Sequence, residues 1–119
     1  MSSRVLEWPA PAEVERAVRE WAERLAAVEP GVLGVGYFGS FARGDSGVGS
    51  DVDLVVVAAD DAAKARIQLA DRVGLPVPSD LVVFTDGEWR AMQAEAGRFA
   101  QTLARETKWI VGGGPRADA

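Results

Sequence analysis

The chain has 119 residues with neither cysteine nor histidine, which excludes disulfides, thiol nucleophiles, Ser-His-Asp triads and ordinary zinc sites. A net charge of −5, with no basic run to offset it, disfavours extended nucleic-acid binding. With 48% apolar residues, no apolar run of the roughly 18 residues that suggest a membrane span, and no signal-peptide layout in MSSRVLEWPAP, a soluble cytoplasmic protein with one core is expected.

In chain order, Val14, Ala17, Val18, Trp21, Leu25 and Val28 recur at helical spacing and predict a helix from Pro11 to Val28, ended by Pro30-Gly31. Val32 to Phe38 alternates β-branched or aromatic residues with glycine and reads as a strand. The second strand, Val52 to Ala58, carries Leu54-Val55-Val56-Val57, the continuous apolar run of a strand covered on both faces. Asp60-Asp61 can cap a helix with Ala63, Ile67, Ala70 and Val73 on one side and Gly74 as its stop. Beyond Pro76 and Pro78, Asp80 to Phe84 is a short third strand. Thr85 and Glu88 form a capping-box pattern for a last helix, along which Trp89, Met92, Ala96, Phe99 and Leu103 repeat every three or four residues. That stripe is read as packing on the sheet in preference to a partner-binding seam. Trp109 and Ile110 either cover a sheet edge or contact another subunit. Residues 1–111 are expected to form one domain and the Gly-rich residues 112–119 a disordered tail. The order α-β-β-α-β-α predicts a small α/β (α+β) protein, a mixed β-sheet with helices packed on it.

Three motifs compete for a functional role. Gly34-Val35-Gly36-Tyr37-Phe38-Gly39 fits the dinucleotide fingerprint G-x-G-x-x-G, but that motif works only after a strand and at the opening of a helix. Here a helix has only just ended at Pro30, so the glycines are read as a strand with close backbone packing. The segment from Asp45 to Asp53 has Gly47 and Gly49 where a calcium loop needs oxygen-bearing side chains, and that reading fails. The third motif is GSFARGDSGVGSDVDL, residues 39–54. Strand alternation puts Asp51 and Asp53 on one face, where two carboxylates repel each other unless a cation lies between them. Hard oxygen donors of this kind suit Mg²⁺, which takes one or two carboxylates together with substrate phosphate oxygens. Gly39-Ser40, followed by a short helical turn, can present backbone N–H groups and a hydroxyl to an anion, and Arg43 adds a planar fork suited to phosphate. If the third strand lies beside the second, Asp80 becomes a third carboxylate at the same place. Together these are the parts required by a reaction on a nucleoside triphosphate.

Gly39-Ser40, ten intervening residues and Asp51-Val52-Asp53-Leu54 resemble the signature of the DNA polymerase beta-like nucleotidyltransferase superfamily, and GSFARG…SDVDLVVV is most similar to its minimal, MNT-type members. The resemblance implies Mg²⁺-dependent transfer of a nucleoside monophosphate, AMP from ATP in the first instance, with release of pyrophosphate. By that likeness Gly39 and Ser40 hold the triphosphate, with Arg43 on a phosphate. Asp51, Asp53 and Asp80 serve metal binding and catalysis, Asp80 helping to activate the acceptor hydroxyl. Members of this size resemble the antitoxin of two-component toxin–antitoxin modules, whose acceptor is a separate HEPN-type protein. Two alternatives stand beside this expectation. One is a non-catalytic antitoxin or nucleotide-binding module. The other is transfer to a small molecule, which would call for a homodimer to supply the acceptor pocket. The Gly47-Val48-Gly49 stretch departs from the proline-containing linkers common in the family at that place.

Overall fold

A computed structural model of the protein describes residues 8–112. Its elements are α1 (Pro11–Val28), β1 (Val32–Phe38), α2 (Ser40–Arg43), β2 (Val52–Ala58), α3 (Asp61–Gln68), β3 (Ser79–Thr85), α4 (Asp86–Glu95), α5 (Arg98–Glu106) and β4 (Lys108–Val111). The four strands form one mixed sheet in the order β3-β2-β1-β4. β1 runs antiparallel to both β2 and β4, whereas β2 and β3 are parallel and joined through α3. Among the described residues no helix is long and apolar enough to cross a membrane.

β2 explains the layering. Its alternate residues Val52, Leu54, Val56 and Ala58 belong to a core built with Val14, Val18, Trp21 and Leu25 of α1 and Ala63 and Ile67 of α3. Val55 and Val57 point the other way, into a smaller cluster with Trp89 of α4 and Leu103 of α5. Every residue of β2 is buried except the half-buried Asp53. Burying a Val or Leu side chain stabilises by roughly 1.5–3 kcal/mol, so a strand with six buried apolar residues tolerates one carboxylate placed at a disadvantage.

The expected bounds of α1, β1 and β2 agree with the structure, and Thr85 and Glu88 do form the capping box that opens α4. The helix after Asp60 is shorter than predicted. It stops at Gln68, leaving Leu69 and Val73 exposed. The Asp71 carbonyl accepts from the Trp21 indole Nε1 at 3.0 Å, and the Asp71 carboxylate accepts from the Val73 N–H at 3.2 Å, so this segment is held by local and tertiary bonds in place of a helical ladder.

The single last helix predicted from Trp89 to Leu103 is two helices. Ala96 adopts the left-handed conformation, φ 53° and ψ 37°, and Gly97 caps α5. Gln101 Nε2 donates to the Ala96 carbonyl at 2.9 Å, stabilising the break. Trp109 and Ile110 lie in β4, a strand absent from the predicted order, which covers the outer edge of β1. The glycines of β1 make that approach feasible: a Cβ on Gly36 would come within 2.7 Å of the Lys108 carbonyl, and one on Gly34 within 3.2 Å of the Trp109 ring. Trp109 then packs edge to face on Trp89, with ring centroids 5.6 Å apart. Of the tail, Gly112 is in a turn, and the expected disorder of residues 113–119 lies outside the described residues.

Where α1 meets α3, the Arg66 guanidinium donates twice to Glu29, both at 2.8 Å, and the Gly31 N–H donates to Glu29 Oε2 at 3.0 Å. The Arg66 bonds first, and the Gly31 bond next, hold the Glu29 carboxyl at about 2, below its ordinary 4.5. A depressed carboxyl stabilises the fold fully above its unfolded value and loses that contribution as pH falls towards the folded one. Glu29→Gln is therefore expected to be less stable than the parent at neutral pH, with the difference shrinking as the pH is lowered from 4.5 towards 2. Urea-denaturation midpoints across that range measure it, and a gap independent of pH would contradict the ion-pair account.

Candidate functional site

The site is built where β1 turns into α2, at the end of the sheet where β2 and β3 begin. Gly39 follows the last residue of β1 with φ 77° and ψ −153°, a combination reserved almost entirely for glycine, and it caps α2. A Cβ there would collide with Asp53 Oδ2. The turn and the carboxylate are thus in direct contact, and only glycine permits it. Ser40 opens α2, whose first N–H groups have no partner inside the helix. Gly44, also at positive φ, closes α2 after Arg43.

The parallel register of β2 and β3 pairs Asp53 with Asp80. This adjacency was the conditional part of the sequence reading. Asp51 precedes Asp53 by two residues and is exposed, as is Asp80. Burial first, then the charges of Asp80 and Asp51, push the Asp53 carboxyl above its usual range, while Arg43 pulls it back. Mutual repulsion of this kind is the electrostatic condition that a cation relieves.

Among the described residues no group of three or more acidic side chains is drawn together as a ready-made cation cage. The donor set still fits magnesium, which is bound by one or two carboxylates while substrate phosphates and water fill the other positions. Asp53, half-buried and flanked by Asp51 and Asp80, supplies oxygens of the right hardness, with the Gly39 turn packed against its Oδ2.

Arg43 is near this cluster, but its fork is engaged by protein. Nε donates to Asp45 Oδ2 at 3.2 Å and an Nη donates to Glu106 Oε1 at 3.1 Å. Glu106 was not singled out from the sequence. It ends a helix as an ordinary solvated glutamate would, and only the fold carries it across to Arg43. Two aromatic residues at the site were missed in the same way. Phe38 pairs across the sheet with Asp53 and so shares its face, and Phe99 of α5 packs edge to face on Phe38 with centroids 6.0 Å apart. Between α2 and β2 the connection folds on itself, the Gly47 N–H donating to Ser50 Oγ at 2.9 Å.

Comparison with known proteins agrees with this geometry. The sequence profile of the nucleotidyltransferase domain matches residues 15–109. No match is found among curated proteins. Among solved structures, the fold is similar to that of a candidate nucleotidyltransferase from Sulfolobus solfataricus, with 18% identity and a TM-score of 0.54 over 83% of this chain and 80% of that one. It is also similar to a chain of a toxin–antitoxin complex solved with AMP-PNP, with 23% identity and a TM-score of 0.51 over 79% of this chain and 73% of that one.

The contact between Gly39 and Asp53 can be tested through stability alone. Gly39→Ala is expected to cost about 1–3 kcal/mol for its backbone conformation, plus a further cost from the collision with the carboxylate. Combining it with Asp53→Ala removes the collision and leaves the backbone cost, so a double-mutant cycle by chemical denaturation should show the two changes coupled. Simple additivity would mean that the turn and the carboxylate are not in contact.

Proposed function

Because the chain belongs to the nucleotidyltransferase-domain family, we propose that it is a divalent-metal-dependent transferase that moves AMP from ATP onto a hydroxyl of a partner protein. The observation that carries the reading is the pairing of Asp53 with Asp80 on adjacent strands, directly behind the Gly39-Ser40 turn. The family generally uses a nucleoside triphosphate and a divalent metal.

In this reading the Gly39-Ser40 turn holds the phosphate tail through backbone N–H groups and the Ser40 hydroxyl. The acceptor oxygen attacks the α-phosphorus in line, the bond from that phosphorus to the α,β-bridging oxygen breaks, and pyrophosphate leaves. Asp80, at the exposed start of β3, takes the hydroxyl proton. Asp51 and Asp53 would hold magnesium, which when bound neutralises phosphate charge and orients the attacking and leaving oxygens. Arg43 reaches a phosphate once it exchanges Asp45 or Glu106 for it. That exchange is chemically even, one oxyanion for another.

A protein acceptor is favoured by the similarity in fold to a toxin–antitoxin component solved with AMP-PNP, and by the acidic character of the chain. On this view the partner is a HEPN-type toxin, and both proteins work in the cytoplasm. A second reading, a module that neutralises its partner by binding alone, is favoured by one observation: both donor sides of Arg43 are already satisfied by carboxylates.

Incubation with α-labelled ATP, Mg²⁺ and the product of the adjacent gene separates the two readings. Label is expected on the partner, reduced about 100-fold or more by Asp51→Asn or Asp53→Asn, because metal-based charge stabilisation is worth several kcal/mol. A tight complex that stays unlabelled with all four triphosphates would leave the binding-only reading standing. The same Asp53→Asn protein should be more stable than the parent at neutral pH without metal. A carboxyl whose folded value is raised loses stability as pH rises through it, and asparagine never ionises. Thermal melting with and without Mg²⁺ measures this, and a destabilised Asp53→Asn would contradict the electrostatic account.

A further inference from the structure

The structure places an aromatic ledge beside the carboxylates. α5 spends Ala100 and Leu103 on the core, yet Phe99 remains 47% exposed. Scattered exposed apolar side chains are ordinary on a protein surface, and Val28, Val48, Leu69 and Val73 are of that kind. Phe99 differs in what supports it. Its ring meets Phe38 at 72°, and Phe38 is the direct cross-strand neighbour of Asp53 on the same face of the sheet. An edge-to-face pair uses one edge and one face between two rings, so at least one face of Phe99 is not taken up by Phe38.

The position of α5 is also secured at this site. Two turns beyond Phe99, on the same side of the helix, Glu106 accepts from Arg43 of α2 at 3.1 Å. Phe99 on Phe38 and Glu106 on Arg43 together make α5 a wall along the Gly39-Ser40 turn. The break at Ala96-Gly97 allows this, because it frees α5 from the direction of α4.

We propose that Phe99, backed by Phe38, is the stacking platform for the base of the bound triphosphate, and that it favours purines. The inference rests on the nucleotidyltransferase reading and adds where the base lies. With the phosphates at the Gly39-Ser40 turn and Asp53, the base extends one ribose further, and Phe99 is the half-exposed aromatic ring on that wall. Stacking discriminates by ring area and not by hydrogen-bond pattern, so the ledge separates purine from pyrimidine and does little to separate adenine from guanine.

The test is equilibrium binding by calorimetry of ATP, GTP, CTP, UTP and inorganic tripolyphosphate to the full chain with Mg²⁺. The parent should bind ATP and GTP more tightly than CTP and UTP. Phe99→Ala should weaken ATP about tenfold, within the range that alanine substitution gives for base–aromatic stacking, erase the purine preference and leave tripolyphosphate unchanged. Phe99→Trp should retain ATP affinity, and Phe99→Gln, tolerated at an exposed helical position, should repeat the alanine result. The ledge is overturned if Phe99→Ala and Phe99→Gln bind ATP as the parent does, or if both lose ATP and tripolyphosphate equally. A parent that binds ATP no better than tripolyphosphate overturns the ledge and leaves the transferase reading intact, whereas a parent that binds neither removes both.

Discussion

Strand β2 is hydrogen-bonded on both edges and, apart from the half-buried Asp53, buried on both faces, so its backbone is held in place by neighbours. Asp53 inherits that rigidity. A carboxylate on a loop could turn away from a second negative charge, but this one is fixed between Phe38 on one strand and Asp80 on the other, with the Gly39 turn against its oxygen. The apolar run that follows supplies energy for this placement, since each of Leu54 to Val57 is fully buried and stabilises by roughly 1.5–3 kcal/mol, while Asp53 itself is only half-buried. The site is therefore a property of the strand's position in the sheet, and each surrounding element is arranged relative to it.

The charges around Asp53 are incompletely balanced. Two further aspartates raise its proton affinity and one arginine lowers it, while that arginine is itself divided between Asp45 and Glu106. Elsewhere in the molecule the opposite arrangement appears: Glu29 is satisfied by two bonds from Arg66 and one from a backbone N–H. Stability is served at Glu29 and compromised at Asp53. A surplus of acid at a rigid, half-open position is the usual mark of a site that is completed by a ligand.

Much of this organisation was legible in the residues. The period of α1, the unbroken valines of β2 and the Thr85–Glu88 box are local signals, and the structure follows them closely. The contiguous part of the site, from Gly39 to Asp53, was equally local. What required the fold were the contacts between distant segments. Whether Asp80 faced Asp53 depended on the crossover through α3, which spacing alone does not reveal. Lys108–Val111 is too short to declare itself a strand, and its trace in the sequence was indirect, in Gly34 and Gly36, whose missing side chains leave room for it. The heptad-like stripe from Trp89 to Leu103 suggested one helix because its apolar residues recur every three or four positions. The left-handed Ala96, the Gly97 cap and the bond from Gln101 interrupt it, and periodicity does not register such a break.

The pairing of β4 with β1 has a consequence for how the molecule assembles. β1 is the first strand and β4 the last, so this ladder closes the longest loop in the sheet, and contacts of such separation form slowly. Only Thr107 separates β4 from α5, so the wall bearing Phe99 and Glu106 is tied to the same slow step. During synthesis the turn and the carboxylates emerge before the wall beside them. Docking of the final strand on β1 is thus what fixes the last side of the site.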